Sequence, residues 1–89
     1  MNNKEISKLR SQAHHLKPVI MIGANGYTEA VSSEIDQALN NHELIKIKIL
    51  QAERSERSTL ATRICEEHEA TLIQTMGRIV TIYRLSEED

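Results

Sequence analysis

The run Leu44-Ile45-Lys46-Ile47-Lys48-Ile49-Leu50 constrains this chain more than any other. Successive side chains of an extended strand point to opposite faces, so Ile45, Ile47 and Ile49 share one face, and Lys46 and Lys48 the other. Such a strand is half buried. It demands a sheet with an apolar core on one side and a basic, solvated surface on the other. The core has few large rings to use, because the chain holds two Tyr and no Phe or Trp. Ile, Leu, Val, Ala and Met must fill it. With 89 residues, the chain is expected to form one domain over its whole length, 1–89.

The rest of the sequence supplies the other layers. Ile6, Leu9, Ala13 and Leu16 mark one face of an amphipathic helix over 4–16, ended by Pro18. Val19-Ile20-Met21-Ile22 is a continuous apolar run and reads as a strand buried on both faces, hence central in the sheet. Val31, Ile35, Ala38 and Leu39 repeat at helical spacing, which predicts a helix over 28–41 with Thr28 as its N-cap. Gln51 to Ser58 reads as a loop leading into a third helix with Leu60, Ile64, Cys65 and His68 inward. Thr71 to Met76 and Ile79 to Arg84 read as strands joined at Gly77-Arg78 in a tight hairpin. The fold class is α/β, in the order α-β-α-β-α-β-β. It is a four-stranded mixed sheet packed with helices, with at least one parallel pair and a closing antiparallel hairpin.

Several functional classes drop out. A single cysteine, Cys65, permits no disulfide framework and no thiol cluster for structural zinc. No apolar run approaches the ~18 residues of a membrane span, and the start of the chain has no apolar signal segment. A cytoplasmic, monomeric protein without membrane contact is the expectation. The His14-His15 pair has the wrong spacing for a metal chelate, since helix neighbours point apart. Cys65 and His68 share a helical face but read as a buried thiol and a packed imidazole, with Glu66, Glu67 and Glu69 around them. The acidic end, Glu87-Glu88-Asp89, reads as solvated charge. No active site and no cofactor are expected.

The most informative segment is Gly23-Ala24-Asn25-Gly26-Tyr27-Thr28, between a strand and a helix. Its two glycines let the backbone turn with positive φ and come close to a ligand. The helix N-terminus beyond it offers unpaired N–H groups to an anion, although Glu29 sets a negative charge of its own there. The segment is either such a phosphate-contacting loop or merely a tight strand-to-helix turn. It is not a Walker loop, for no Lys-Ser or Lys-Thr follows, and it lacks the third glycine of a dinucleotide fingerprint. Tyr27 could stack on an unpaired base or cover the edge of the core; Tyr83 reads as cross-strand packing.

Charge is polarised along the chain. The net charge is −2, yet residues 1–27 carry Lys4, Lys8, Arg10 and Lys17 against Glu5 alone, with His14 and His15 beside them. Residues 28–44 carry Glu29, Glu34, Asp36 and Glu43 and no Lys or Arg. A one-sided basic distribution next to a glycine loop favours a surface that tracks phosphates.

The stretch from Leu16-Lys17-Pro18 through Gly23-Ala24-Asn25-Gly26-Tyr27-Thr28-Glu29, with Glu34-Ile35, Ala38-Leu39 and His42-Glu43-Leu44-Ile45-Lys46-Ile47-Lys48, resembles the CRM domain (chloroplast RNA splicing and ribosome maturation). The likeness is to its bacterial stand-alone YhbY-type form. It continues through Gly77-Arg78 and Tyr83-Arg84 and spans nearly the whole chain. It implies RNA binding and a fold similar to the C-terminal domain of translation initiation factor three. It further implies association with precursors of the large ribosomal subunit and an RNA-contacting loop at Gly23, Ala24, Asn25 and Gly26. Lys17, Lys46, Lys48 and Arg84 match basic positions of the family pattern; Lys8, Arg10, His14 and Arg78 join them on charge and placement, and Tyr27 as the aromatic beside the loop.

The expected function is binding of ribosomal RNA during large-subunit assembly, by phosphate contact and without covalent chemistry. The alternative is a protein-interaction module whose acidic helices dock a basic ribosomal protein, with RNA contact incidental. An enzyme on a small phosphorylated ligand ranks last, for no base or nucleophile stands beside the loop.

Overall fold

The computed structural model describes residues 1–50 and 53–86. Gln51 and Ala52 of the expected loop and the acidic end Glu87-Glu88-Asp89 lie outside the described residues. The elements are α1 (Asn3–Ala13), β1 (Ile20–Ile22), α2 (Glu29–His42), β2 (Leu44–Ile49), α3 (Arg54–His68), β3 (Thr71–Met76) and β4 (Ile79–Tyr83). This is the expected order, in a four-stranded sheet arranged β1-β2-β4-β3. β1 and β2 run parallel; β4 is antiparallel to β2 and β3.

The alternating strand behaves as its pattern demands. Ile45, Ile47 and Ile49 are at most 1% exposed, and in register beside them Ile20, Ile22, Val80 and Ile82 complete an apolar sheet face. Ile35 and Leu39 of α2 and Ala61, Ile64 and Cys65 of α3 close over that face as one cluster. No α1 residue belongs to it. α1 instead touches β2 and β3, and Thr81, which pairs with Lys46 on the lysine side of the sheet, is 2% exposed. α1 therefore covers part of the opposite face, with Ala13 buried against it.

Three expectations need correction. β1 is an edge strand, not a central one. Its burial alternates, with Ile20 and Ile22 buried and Met21 59% exposed, because α1 does not reach over that end of the sheet. α1 stops at Ala13 rather than Leu16, and short turns from His14 to Ser11 and Leu16 to Ala13 lead on to Pro18. α3 begins at Arg54, inside the segment read as loop, and its N-cap Glu53 makes no side-chain cap bond.

Local chemistry fixes the ends. Asn2 and Thr28 accept from Glu5 N and Val31 N and cap α1 and α2. Gly77 has φ +59 and Arg78 does not adopt a positive φ, the pattern of a type II′ turn, which suits a two-residue hairpin.

Candidate nucleic-acid interface

The Gly23–Gly26 segment is a β-turn closed by Gly26 N–H donating to Gly23 O at 3.0 Å. Ala24 and Asn25 form its exposed tip. Only Gly26 has a positive φ, +72; Gly23 does not. Without positive φ at Ala24 or Asn25 and with glycine last, the turn follows the type I pattern. So one of the two glycines is demanded by the backbone. A Cβ at Gly23 would meet nothing within 4 Å. The protein itself gives no steric or conformational reason for glycine there, and the space in front of it is open to a ligand.

The structure brings some of the expected basic residues to this loop. Leu50 N donates to Ile22 O at 2.9 Å, and Arg78 Nη1 donates to Leu50 O at 2.6 Å, so the hairpin arginine stands at the same sheet end as the glycine turn. Lys48 pairs in register with Met21, two residues before Gly23. Lys46 O accepts from Val19 N at 3.0 Å, which places Lys46 one step further from the loop, and exposed Lys17 begins the line. Lys17, Lys46, Lys48 and Arg78 thus mark a track along β1 and β2 that ends at the turn. It is about 20 Å long by strand rise.

Other expected residues sit elsewhere. Arg10 and His14 border a shallow cleft with Gln74 and Met76, near the β3 edge; Arg10 Nη2 reaches Ile73 O at 3.4 Å. The His14 and His15 rings meet edge to face at 5.8 Å in the turn after α1. Lys8 is exposed on α1 about 200° round the helix from Arg10, hence on a different side. Arg84 is tied inside the protein, at the far end of β4 from Arg78. Its guanidinium donates to His68 O (3.1 Å), Asp36 O (3.1 Å) and Asn40 Oδ1 (2.9 Å), and forms an ion pair with Asp36 at 3.0 Å.

Tyr27 is held too. Its hydroxyl lies 2.6 Å from Glu67 Oε2, 3.2 Å from Ser32 Oγ and 3.2 Å from His68 Nε2, and Arg63 stands 5.1 Å over the ring. The ring packs against the core cluster, so it anchors the end of the glycine turn onto α3. Burial, then the bond to Glu67, pushes the Tyr27 hydroxyl up from its ordinary value; the Tyr27 bond, then Arg63, holds the Glu67 carboxyl down. Burial lowers His68 below its usual range. Cys65 is buried, with its thiol pushed up to about 11, so it is a poor nucleophile. Among the described residues no group of three or more His, Cys, Asp or Glu side chains is placed to hold a metal ion, and no helix is long and apolar enough to cross a membrane.

The sequence reading missed how the sheet sorts charge. Residues 16–28, 44–50 and 70–84, which hold all four strands and the glycine turn, contain no Asp or Glu. Apart from Glu5 on α1 and the three terminal acids, the acidic residues lie on α2 and α3 or in their caps. The sheet separates an acidic helix layer from a face whose strand charges are all positive.

The chain is 46% identical over 88 residues to an RNA-binding protein of Haemophilus influenzae, covering 99% of this chain and 89% of that one. It is 32% identical over 89 residues to the "Probable RNA-binding protein YqeI" of Bacillus subtilis, covering 100% and 93%. The solution structure of the hypothetical protein SAV1595 from Staphylococcus aureus superposes with a TM-score of 0.86 at 36% identity, covering 100% of this chain and 93% of that one. The CRS1 / YhbY (CRM) domain model matches residues 1–84, and with this fold and these relatives the chain belongs to the CRS1/YhbY (CRM) domain family.

Proposed function

We propose that this protein binds RNA, holding phosphates at the Gly23–Gly26 turn and along Lys17, Lys46, Lys48 and Arg78. The observation that carries this reading is the acid-free sheet and turn, on which every charged strand residue is a cation. The RNA-binding relatives support it. Backbone contacts of this kind position a protein without reading sequence, so selectivity comes from RNA shape or from unpaired bases. On this reading the target is ribosomal RNA in a large-subunit precursor, met in the cytoplasm by a monomer that performs no covalent chemistry.

Four such phosphate contacts give a log–log salt slope on the order of −3 to −4. A titration with labelled ribosomal RNA fragments reads that slope, and Lys46→Glu with Lys48→Glu should reduce it by about 2 while leaving the fold intact. Binding indifferent to salt or to that double reversal refutes the reading. Crosslinking in cells, followed by sequencing of the bound RNA, tests the ribosomal target.

A second reading has its own observation. Glu34, Glu66 and Glu69 are exposed on the acidic layer, which could dock a basic ribosomal protein. Reversing Glu34 and Glu66, rather than Asp36 with its ion pair to Arg84, would then abolish association with the particle and spare RNA binding.

A further inference from the structure

The sheet face that carries the lysines is not wholly polar. Met21, Lys48, Ile79 and Met76 stand in one register row across all four strands. Met21 is 59% and Met76 65% exposed, with Lys48 and Ile79 half-buried between them. The next row on this face, Lys46, Thr81 and Gln74, is roofed by α1, as the burial of Thr81 records. The Met21–Met76 row is thus a strip left uncovered at the sheet end nearest the glycine turn. Three strand spacings make it about 14 Å long.

We infer that this row seats unpaired bases of a single-stranded RNA segment whose backbone passes onto the Gly23–Gly26 turn. The inference rests on the reading under Proposed function and adds to it what the RNA must present. Three observations select this occupant. Neither tyrosine is free to stack there: Tyr27 is tethered to Glu67, Ser32 and His68 with Arg63 over its ring, and Tyr83 is half-buried at the other end of β4. In this row Met and Ile supply the apolar contact, and a thioether is a polarisable partner for an aromatic base. Second, the strip is rimmed by cations. Lys48 lies within it, Arg78 adjoins Ile79 in the chain, and Arg10 borders the cleft beside Met76. Third, a twofold contact with another copy would bring this basic rim against itself, which is repulsive. A four-stranded sheet that offers an apolar row to two or three bases is an established way to hold single-stranded RNA. Here sulfur and branched carbon stand where rings usually do.

The chain has three methionines, Met1, Met21 and Met76, and Met1 is 54% exposed. Peroxide oxidation followed by mass spectrometry therefore carries its own control, because the rate follows exposure of the sulfur. An unstructured single-stranded oligoribonucleotide at saturation should slow oxidation of Met21 and Met76 several-fold and leave Met1 unchanged. A blunt duplex of equal length, whose bases are stacked away, should protect neither. Met21→Ala and Met76→Ala, both at exposed positions, should each weaken single-strand binding about two- to tenfold without altering the salt slope. Salt-dependent binding with Met21 and Met76 oxidised at the unbound rate, or a duplex bound as tightly as the single strand, overturns the base seat and leaves the phosphate reading standing. Protection that appears without RNA and grows with protein concentration also overturns it, in favour of a second copy. Absence of RNA binding at any salt overturns both.

Discussion

The two loop glycines differ in a way that isolates function from folding. Gly26 sits at φ +72, where an L side chain is strained by roughly 1–2 kcal/mol. Gly23 has no positive φ, and a Cβ there would meet nothing within 4 Å. Gly23→Ala should therefore leave the native state undisturbed while narrowing the unfolded ensemble, a gain of about 0.4–1 kcal/mol. For a domain of this size that is a rise in melting temperature of about 2–8 °C. If loop amides hold a phosphate, the added methyl stands where that phosphate must approach. Loss of one charge-assisted hydrogen bond, about 1.5–3 kcal/mol, weakens binding tenfold or more. The variant is thus expected to be more stable and less active.

Thermal melts and fluorescence anisotropy with labelled RNA at fixed salt measure both quantities on one preparation. Gly26→Ala is the control, losing stability through its backbone conformation. If Gly23→Ala binds RNA as tightly as the parent, the turn is not at the contact and the loop reading fails. If it is less stable than the parent, the turn geometry assigned to Gly23 is wrong.

Other perturbations probe the supports of the site. Arg84→Met removes three hydrogen bonds and the Asp36 ion pair from a largely covered guanidinium. It should cost about 2–4 kcal/mol in urea unfolding, while the folded fraction keeps its RNA affinity. His68 is held below its ordinary 6.5 chiefly by burial, with Asp36 and Glu67 opposing and Arg84 assisting. The unfolded chain therefore takes up this proton first, and stability should fall as pH drops through 6.5. Urea midpoints at pH 7.5 and 5.5 should differ in the parent, and by less in His68→Gln. Glu67, held below its ordinary 4.5, adds a second loss as pH falls beneath that value. Cys65, buried and raised to about 11, should react with Ellman's reagent at pH 8 only at the rate of unfolding. Rapid labelling of the native protein would contradict its burial.

Much of the fold was legible because local pattern and global structure agree. The alternation in β2 named that strand's three fully buried isoleucines. The Gly77-Arg78 pair named the hairpin, and Ile35 and Leu39 named the inner face of α2. What could not be read depends on long-range neighbours. Val19-Ile20-Met21-Ile22 looks buried on both faces because composition does not say which strand ends up at the sheet edge. Tyr27 and Arg84 looked available for RNA because residue type does not show which donors the fold consumes. Most of their partners are 40 or more positions away, at Glu67 and His68 for Tyr27 and at Asp36 and Asn40 for Arg84. The charge polarity along the chain was visible, but not its depth: only strand order and helix placement turn it into two layers.

That layering explains how a chain of net charge −2 can present itself to RNA as a cation. A polyanion responds to the local potential, and at physiological salt that potential decays over about 8 Å. Packed sheet and helix layers lie on the order of 10 Å apart, so the carboxylates of α2 and α3 are a screening length or more behind the lysine face. Lys46 and Lys48 cannot turn toward those acids, because strand alternation fixes them on the opposite side from Ile45, Ile47 and Ile49. The acids have work of their own in the rear layer, where Asp36 holds Arg84 and Glu67 holds Tyr27 and Arg63. Their removal would raise the net charge yet loosen the tether that fixes the end of the glycine turn. The same alternation that builds the core therefore also builds the electrostatic face, and the whole-chain charge averages over two surfaces of opposite sign.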